Sequence, residues 1–197
     1  MITMDNEMFG FYRNALRNSL CKEYKDEWRA CGDDKKKLVA LAVRQQSLPF
    51  LITYCNNGTG LNKEYLKRSF SSYINQPGRI RDADGVKGYK YSLFVDYNKD
   101  VIIIDDVSAF MWCKINNLNV PQTKAVTIYC GCDSKVHLNC DGYNSVFIYL
   151  FDTSRVILDD VDENSTVTIY KYSETCGVLE GKYCLGKIKQ HQKQLRL

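Results

Sequence analysis

Four groups of residues in this 197-residue chain have types and spacings that bear on chemistry. The first is Cys130-Gly131-Cys132 with Cys140, thiols that could ligate a soft metal. A structural zinc site needs four ligands, with paired cysteines separated by about two to four residues on a turn. A C-x-C on a strand puts both sulfurs on one face, and no second knuckle follows, so no metal is expected. The second group is Asp133, Asp141, Asp152 and Asp162, which recur near one phase. Calcium-binding β-rolls space acids in this way but with a dense glycine pattern. Only Gly131 and Gly142 stand here, so these acids are expected to build turns. The third is Tyr129, Tyr149 and Tyr170 with Phe147. Exposed aromatic residues in such number mark a contact surface, either a subunit interface or a platform for sugar rings. Alternatively they only stabilise neighbouring strands by cross-strand pairing. The fourth is Lys63, Lys67 and Arg68, which share roughly one helix face suited to phosphates. An exposed helical face is usually charged in any case.

Catalytic motifs are missing from the sequence. It has no H-E-x-x-H, no G-x-S-x-G and no phosphate-binding loop. Asp105-Asp106 and Asp159-Asp160 are adjacent pairs that would face opposite ways on a strand. The histidines are two, His137 and His191. The expectation is a protein that is not an enzyme and needs no cofactor.

The elements that position these groups follow from periodicity. Val126, Val136, Val146, Val156, Val167 and Val178 recur every ten or eleven residues. All but the last open a V-x-[I/L] triplet whose third residue alternates as Ile128, Leu138, Ile148, Leu158 and Ile169. The fourth position alternates Tyr129, Asn139, Tyr149, Asp159 and Tyr170. The true period is therefore about twenty residues in two unlike halves, the mark of a β-solenoid. Side chains alternate along a strand, so Val and Ile/Leu face the interior and the tyrosines face out. About two and a half coils are expected, Ile128, Ile148 and Ile169 stacking on one sheet, Leu138 and Leu158 on the other. An antiparallel meander is the rival arrangement.

The first third reads helical. Tyr12, Leu16, Leu20, Tyr24 and Trp28 form one stripe at i, i+4 spacing. Asp33 or Asp34 can cap a second helix through Lys37–Val43, ended by Ser47-Leu48-Pro49. Phe50–Cys55 reads as a strand or core segment. Asn62 caps a third helix with Leu66, Phe70, Tyr73 and Ile74 buried. Gln76-Pro77-Gly78 marks a boundary. The fold expected is α+β: a helical head over 1–78, then a β domain over 79–197. That domain comprises a β-hairpin over 89–115, the two-sided repeat over 126–186 and a basic strand or tail over 187–197. The head and hairpin would cap one end of the solenoid and the tail the other.

Charge is unevenly spread. Residues 1–82 carry 14 Lys/Arg against 9 Asp/Glu, residues 83–186 carry 9 against 14, and residues 187–197 carry 4 cations and no acid. Such asymmetry favours self-association or docking on a charged partner. Acidic and basic residues among the first twenty argue against a signal peptide. The nine cysteines are thus expected to be free thiols in a reducing compartment. No run reaches the ~18 apolar residues of a membrane span.

Several stretches together resemble a known group. They are Asp26-Glu27-Trp28 with Ala30-Cys31, Leu38–Ala42, Lys63-Glu64-Tyr65, Ser72–Asn75, Asp84-Gly85 before Gly88-Tyr89, and Met111-Trp112. Ser145-Val146, Tyr149–Asp152 and Lys193–Leu197 belong to the same set. Across most of its length the chain is similar to a family of uncharacterised proteins encoded by tailed bacteriophages and prophages of gut Bacteroidales. That resemblance implies a viral context and transfers no functional residue. The expected role is a structural or interaction protein of the virion, assembled in the host cytoplasm, with other virion proteins or itself as partner. Alternatives are a binding module for a host glycan or protein, and a small nucleic-acid-binding protein using the basic head.

Overall fold

A computed structural model of the chain describes residues 6–17, 22–121 and 125–194. Five helices come first: α1 (Asn6–Arg17), α2 (Lys22–Cys31), α3 (Lys35–Ala42), α4 (Leu48–Asn56) and α5 (Lys63–Ser69). Two caps fall where the sequence places them. The Asp34 carboxylate accepts from the Lys37 N–H at 3.1 Å, and the Asn62 amide oxygen accepts from the Tyr65 N–H at 2.8 Å. Each satisfies a backbone donor that the first helical turn leaves without a partner. The long stripe is divided between α1 and α2, with Tyr12 and Trp28 both buried; Leu20 lies outside the described residues. Phe50–Cys55 is helical, not a strand. Pro49 stands in the first turn of α4, where its missing N–H costs nothing.

Twelve strands follow, in two sheets whose neighbours are parallel but for the first pair. Sheet A runs in the order β1 (Ile80–Arg81), β2 (Lys90–Val95), β4 (Val107–Met111), β6 (Ala125–Gly131), β8 (Ser145–Leu150), β10 (Thr166–Lys171), β12 (Lys187–Gln192). Sheet B runs β11 (Gly177–Cys184), β9 (Arg155–Val161), β7 (Lys135–Cys140), β5 (Lys114–Val120), β3 (Val101–Ile102). The chain alternates between sheets, so this is a β-solenoid of about five turns. Val126, Val146, Val167 and Ile188 stand in register, as do Ile128, Ile148 and Ile169 on sheet A and Leu118, Leu138 and Leu158 on sheet B. They fill the interior between the sheets and are almost all fully buried.

The solenoid is about twice as long as the repeat suggests. The segment 89–115 is not a hairpin: β2 pairs with β4 and β3 with β5, all parallel. Asp96 to Asp100 is a corner between sheets, and residues 109–115 are two strands around a corner at Trp112, where φ is 55°. The early coils lack the valine signature because both faces of β2 and β4 are buried, with every residue of β4 covered. A strand apolar on both faces loses its alternation.

The helical head supplies that cover. It sits on the outer face of sheet A, not on an end of the solenoid. α4 lies over β6 and α5 over β2. Head residues Leu48, Ile52, Leu66 and Phe70 share one apolar cluster with Tyr91, Leu93, Val95, Val107, Met111 and Tyr129. Close docking depends on Gly131: a Cβ there would lie 2.0 Å from Ile52 Cγ2. The described part of the tail extends sheet A instead of crossing the other end. Through residue 192 it forms β12, a further parallel strand on β10; the last three residues lie outside those described.

Candidate interaction surface

The outer face of sheet A carries three columns of side chains set by the parallel register. One runs Leu93, Ala109, Tyr129, Tyr149, Tyr170, His191. A second runs Tyr91, Val107, Thr127, Phe147, Thr168, Lys189. The third continues past Gly131 through Phe151 and Tyr172 to Lys193, each donating its N–H to the preceding coil. The first column changes from aliphatic under the head, through stacked tyrosines, to His191, while the second mixes aromatic, aliphatic and hydroxyl side chains before it ends on Lys189, as the third ends on Lys193.

The three tyrosines are brought together. Tyr129 and Tyr149 stack with centroids 4.7 Å apart, Tyr149 and Tyr170 at 5.0 Å, and Tyr170 and His191 at 5.3 Å. Phe151 and Tyr172 stack beside them at 4.8 Å. Their exposure is graded. Tyr129 is buried beneath the head, with its hydroxyl donating to the Gln45 carbonyl at 3.4 Å. Burial pushes its phenol pKa up, and that of Tyr149 too. Tyr149 and Tyr170 are half-buried, and Phe147 is exposed. Part of the expected contact strip is therefore already used internally, to seat the head. The stacking also bears on the sugar platform. Each ring lies against its neighbour's face, so the ladder turns edges rather than flat faces to solvent.

The basic helix face is arranged differently from its sequence reading. Lys67 Nζ lies 2.6 Å and Lys63 Nζ 3.7 Å from the Asp96 carboxylate, and Arg68 reaches Glu7 at 3.0 Å. Asp96 is held below the usual carboxylate range, chiefly by the hydrogen bond from Lys67. These cations fasten α5 to the first solenoid corner and to α1, so their charge is largely answered within the chain.

Cys130 and Cys132 do not share a face. Cys130 points into the solenoid, whereas Cys132 adopts a φ of 53° at the corner and packs under α4. Burial drives both thiols up, and raises those of Cys55, Cys113 and Cys140 to about 12. They are packing residues. No metal-ligating cluster occurs among the described residues. The corner acids do turn work: Asp133 and Asp152 have positive φ, and Asp152 accepts from the Cys132 N–H at 3.0 Å. Sequence reasoning missed the residues that hold the corners from inside. Ser134 is fully buried, donating to carbonyls of the preceding coil and its own turn, and accepting from the Cys113 N–H. A small polar residue one to three positions after each corner Asp (Ser134, Asn144, Ser154 and Ser165) would have been the signal, diluted by the serines of ordinary loops.

The two edges of sheet A differ most. At the first edge, Asn75 in the left-handed region (φ 59°) donates its N–H to the Leu93 carbonyl at 2.8 Å. Its side chain accepts from the Val95 N–H at 2.8 Å and donates to the Val95 carbonyl at 3.0 Å. With β1 on Tyr91, the edge of β2 is closed. At the last edge, Lys187 and Lys193 N–H groups bond back to Ser165 and Lys171. Alternation along a strand therefore turns the N–H groups of Ile188, Gln190 and Gln192 outward. Lys187, Lys189 and Lys193 are exposed there, and Ile188 is half-covered. In sheet B the neighbouring last strand exposes Leu179 and Tyr183, with Leu185 just beyond it.

Fold and surface together define a small β-solenoid with a helical head seated on one sheet; along that sheet the first edge is covered and, among the described residues, nothing pairs with the outer edge of the last strand. No protein family matches the chain, and neither does any curated protein or solved structure. Among the described residues no helix is long and apolar enough to cross a membrane.

Proposed function

We propose that this is a non-catalytic interaction protein whose binding element is the open last coil of the solenoid. The observation behind this reading is the asymmetry of sheet A, with the edge of β2 closed by Asn75 and β1 while β12 turns backbone donors outward. Unpaired strand edges accept an added strand, with main-chain bonds giving affinity and side chains giving selectivity. The β12 edge is lysine-rich, a feature that blunts pairing with a copy of itself. Antiparallel pairing about Gln190 would set Lys187 against Lys193. The partner favoured by charge is an extended acidic segment of another protein. The phage resemblance gives that partner a setting: another protein of the particle, the chain being a virion component.

The test uses the phage that encodes the chain. Gln190→Pro removes one outward N–H while leaving the bonds to β10 in place, since proline is tolerated on an edge strand. Quantitative mass spectrometry of purified particles should find the natural chain and at least tenfold less of the variant, at equal abundance in the lysate. Absence of the natural chain from particles, or equal incorporation of both, overturns the reading.

A further inference from the structure

The helical head forms a partly open apolar cavity that docking at the last coil does not use. Its volume is about 230 Å3. All five helices contribute walls: Met8 and Phe11 from α1, Trp28 from α2, Leu38 from α3, Leu51 from α4 and Leu66 from α5. Well-packed interiors hold few voids larger than a water molecule. A dry apolar void of roughly 150 Å3 is enough to take up benzene. By that scale this cavity fits a molecule of roughly nine non-hydrogen atoms.

The polar inventory narrows the ligand. Trp28 is 8% exposed, and its indole N–H has no acceptor among the described residues; neither has the buried Tyr12 hydroxyl beside it. The indole nitrogen can only donate, and a buried donor left unmatched costs stability. Trp28 packs edge-to-face on Phe11 at 5.1 Å and against Tyr12 at 5.2 Å. The Ser47 and Tyr24 hydroxyls in the wall bond to each other at 2.7 Å. No charged residue lines the cavity among those described, so an ionised ligand would be stripped of water without compensation.

We propose that this cavity binds a small, neutral, mainly apolar molecule with one hydrogen-bond acceptor, which takes the Trp28 N–H. Binding would also tie the five short helices together.

Acetophenone and cumene serve as probes of equal size, the first with a carbonyl acceptor and the second without. Titration of the full-length 15N-labelled protein is followed at its two indole resonances, Trp28 and Trp112, assigned with Trp28→Phe. Acetophenone should bind saturably, move the Trp28 indole proton downfield, leave Trp112 unmoved, and bind at least tenfold tighter than cumene. Ala15→Leu, which fills the cavity, should weaken acetophenone at least tenfold with the circular dichroism unchanged. Should that variant not fold, Trp28→Phe decides: read by calorimetry, it should bring the two probes to equal affinity. No saturable shift with either probe, as when residues of the chain itself fill the space, overturns the proposal. Equal affinity of the two probes for the natural protein also overturns it.

Discussion

The first and last coils are built on the same backbone plan but finished in different ways. The first is enclosed on its outer face by the head and at its edge by Asn75 and β1. The last has half-covered core positions at Val178 and Ile188 and a row of lysines on its edge. A solenoid must end somewhere, and an end without a cap exposes backbone groups and apolar side chains. The helices cover one end of one face, whereas among the described residues nothing pairs with the outer edge of β12.

The largest expected effect comes from separating the head from the covered coils. In Gly131→Val the new side chain must occupy the space of Ile52 Cγ2. Overpacking at a site that cannot yield should cost about 3 kcal/mol or more, measured by urea denaturation with the Trp28 fluorescence as probe. An Ile52→Ala change in that background should recover part of the loss, since the two residues compete for one volume. A variant as stable as the natural protein would show that the head is not seated on β6.

Opening the closed edge should have the next effect. Asn75→Ala strips the Val95 N–H and carbonyl of their partners in a fully buried position. It also places alanine at positive φ. Together these should cost about 2 kcal/mol, read from the same denaturation curve. By contrast Gln190→Pro, on the open edge, should change stability by less than about 0.5 kcal/mol. A difference of the opposite sign between these two variants would reverse the account of which end is closed.

The smallest effect is the ion pairing that ties α5 to the first corner. The Asp96 pKa is lowered in the folded protein, first by the Lys67 hydrogen bond and then by the charge of Lys63. The carboxylate form therefore adds stability above its ordinary pKa of about 3.9, and that part is lost as pH falls through the lower folded value. The gain is small, because the pair is partly exposed. Acid titration of Asp96→Asn should show a shallower loss of stability below about pH 4 than the natural protein. An identical slope would remove Asp96 from the fastening of the head.

Legibility in the sequence followed solvent exposure. From Val126 onward the strands keep polar or partly exposed residues at outward positions such as Thr127, His137 and Phe147, even where the head lies on Tyr129 and Gly131, so Val-x-Ile and Val-x-Leu stand out and the twenty-residue rhythm with its in-register columns can be read. Before Val126 the outer face is apolar because the head lies on it. Tyr91–Val95 and Val107–Met111 then resemble any buried strand, and a corner at Asp96–Asp100 resembles a hairpin turn. The caps at Asp34 and Asn62 were legible because an Asx side chain has one local use at a helix start. Phe50–Cys55 was not, since a short apolar run suits a buried helix or a strand equally. The tyrosine ladder was legible as a column; that its first ring lies under α4 depends on Gly131, whose close approach to Ile52 leaves no local trace. The positive φ at Cys132, which sends the two cysteines to different cores, has no residue signature at all.

The open last coil is tested most directly by amide hydrogen exchange on the free protein, resolved by residue along β12. Lys189 and His191 should be protected, as their N–H groups face β10, while Ile188, Gln190 and Gln192 should exchange within about tenfold of an unstructured chain. Equal protection of all five amides would mean that the edge is already covered, and would contradict the account.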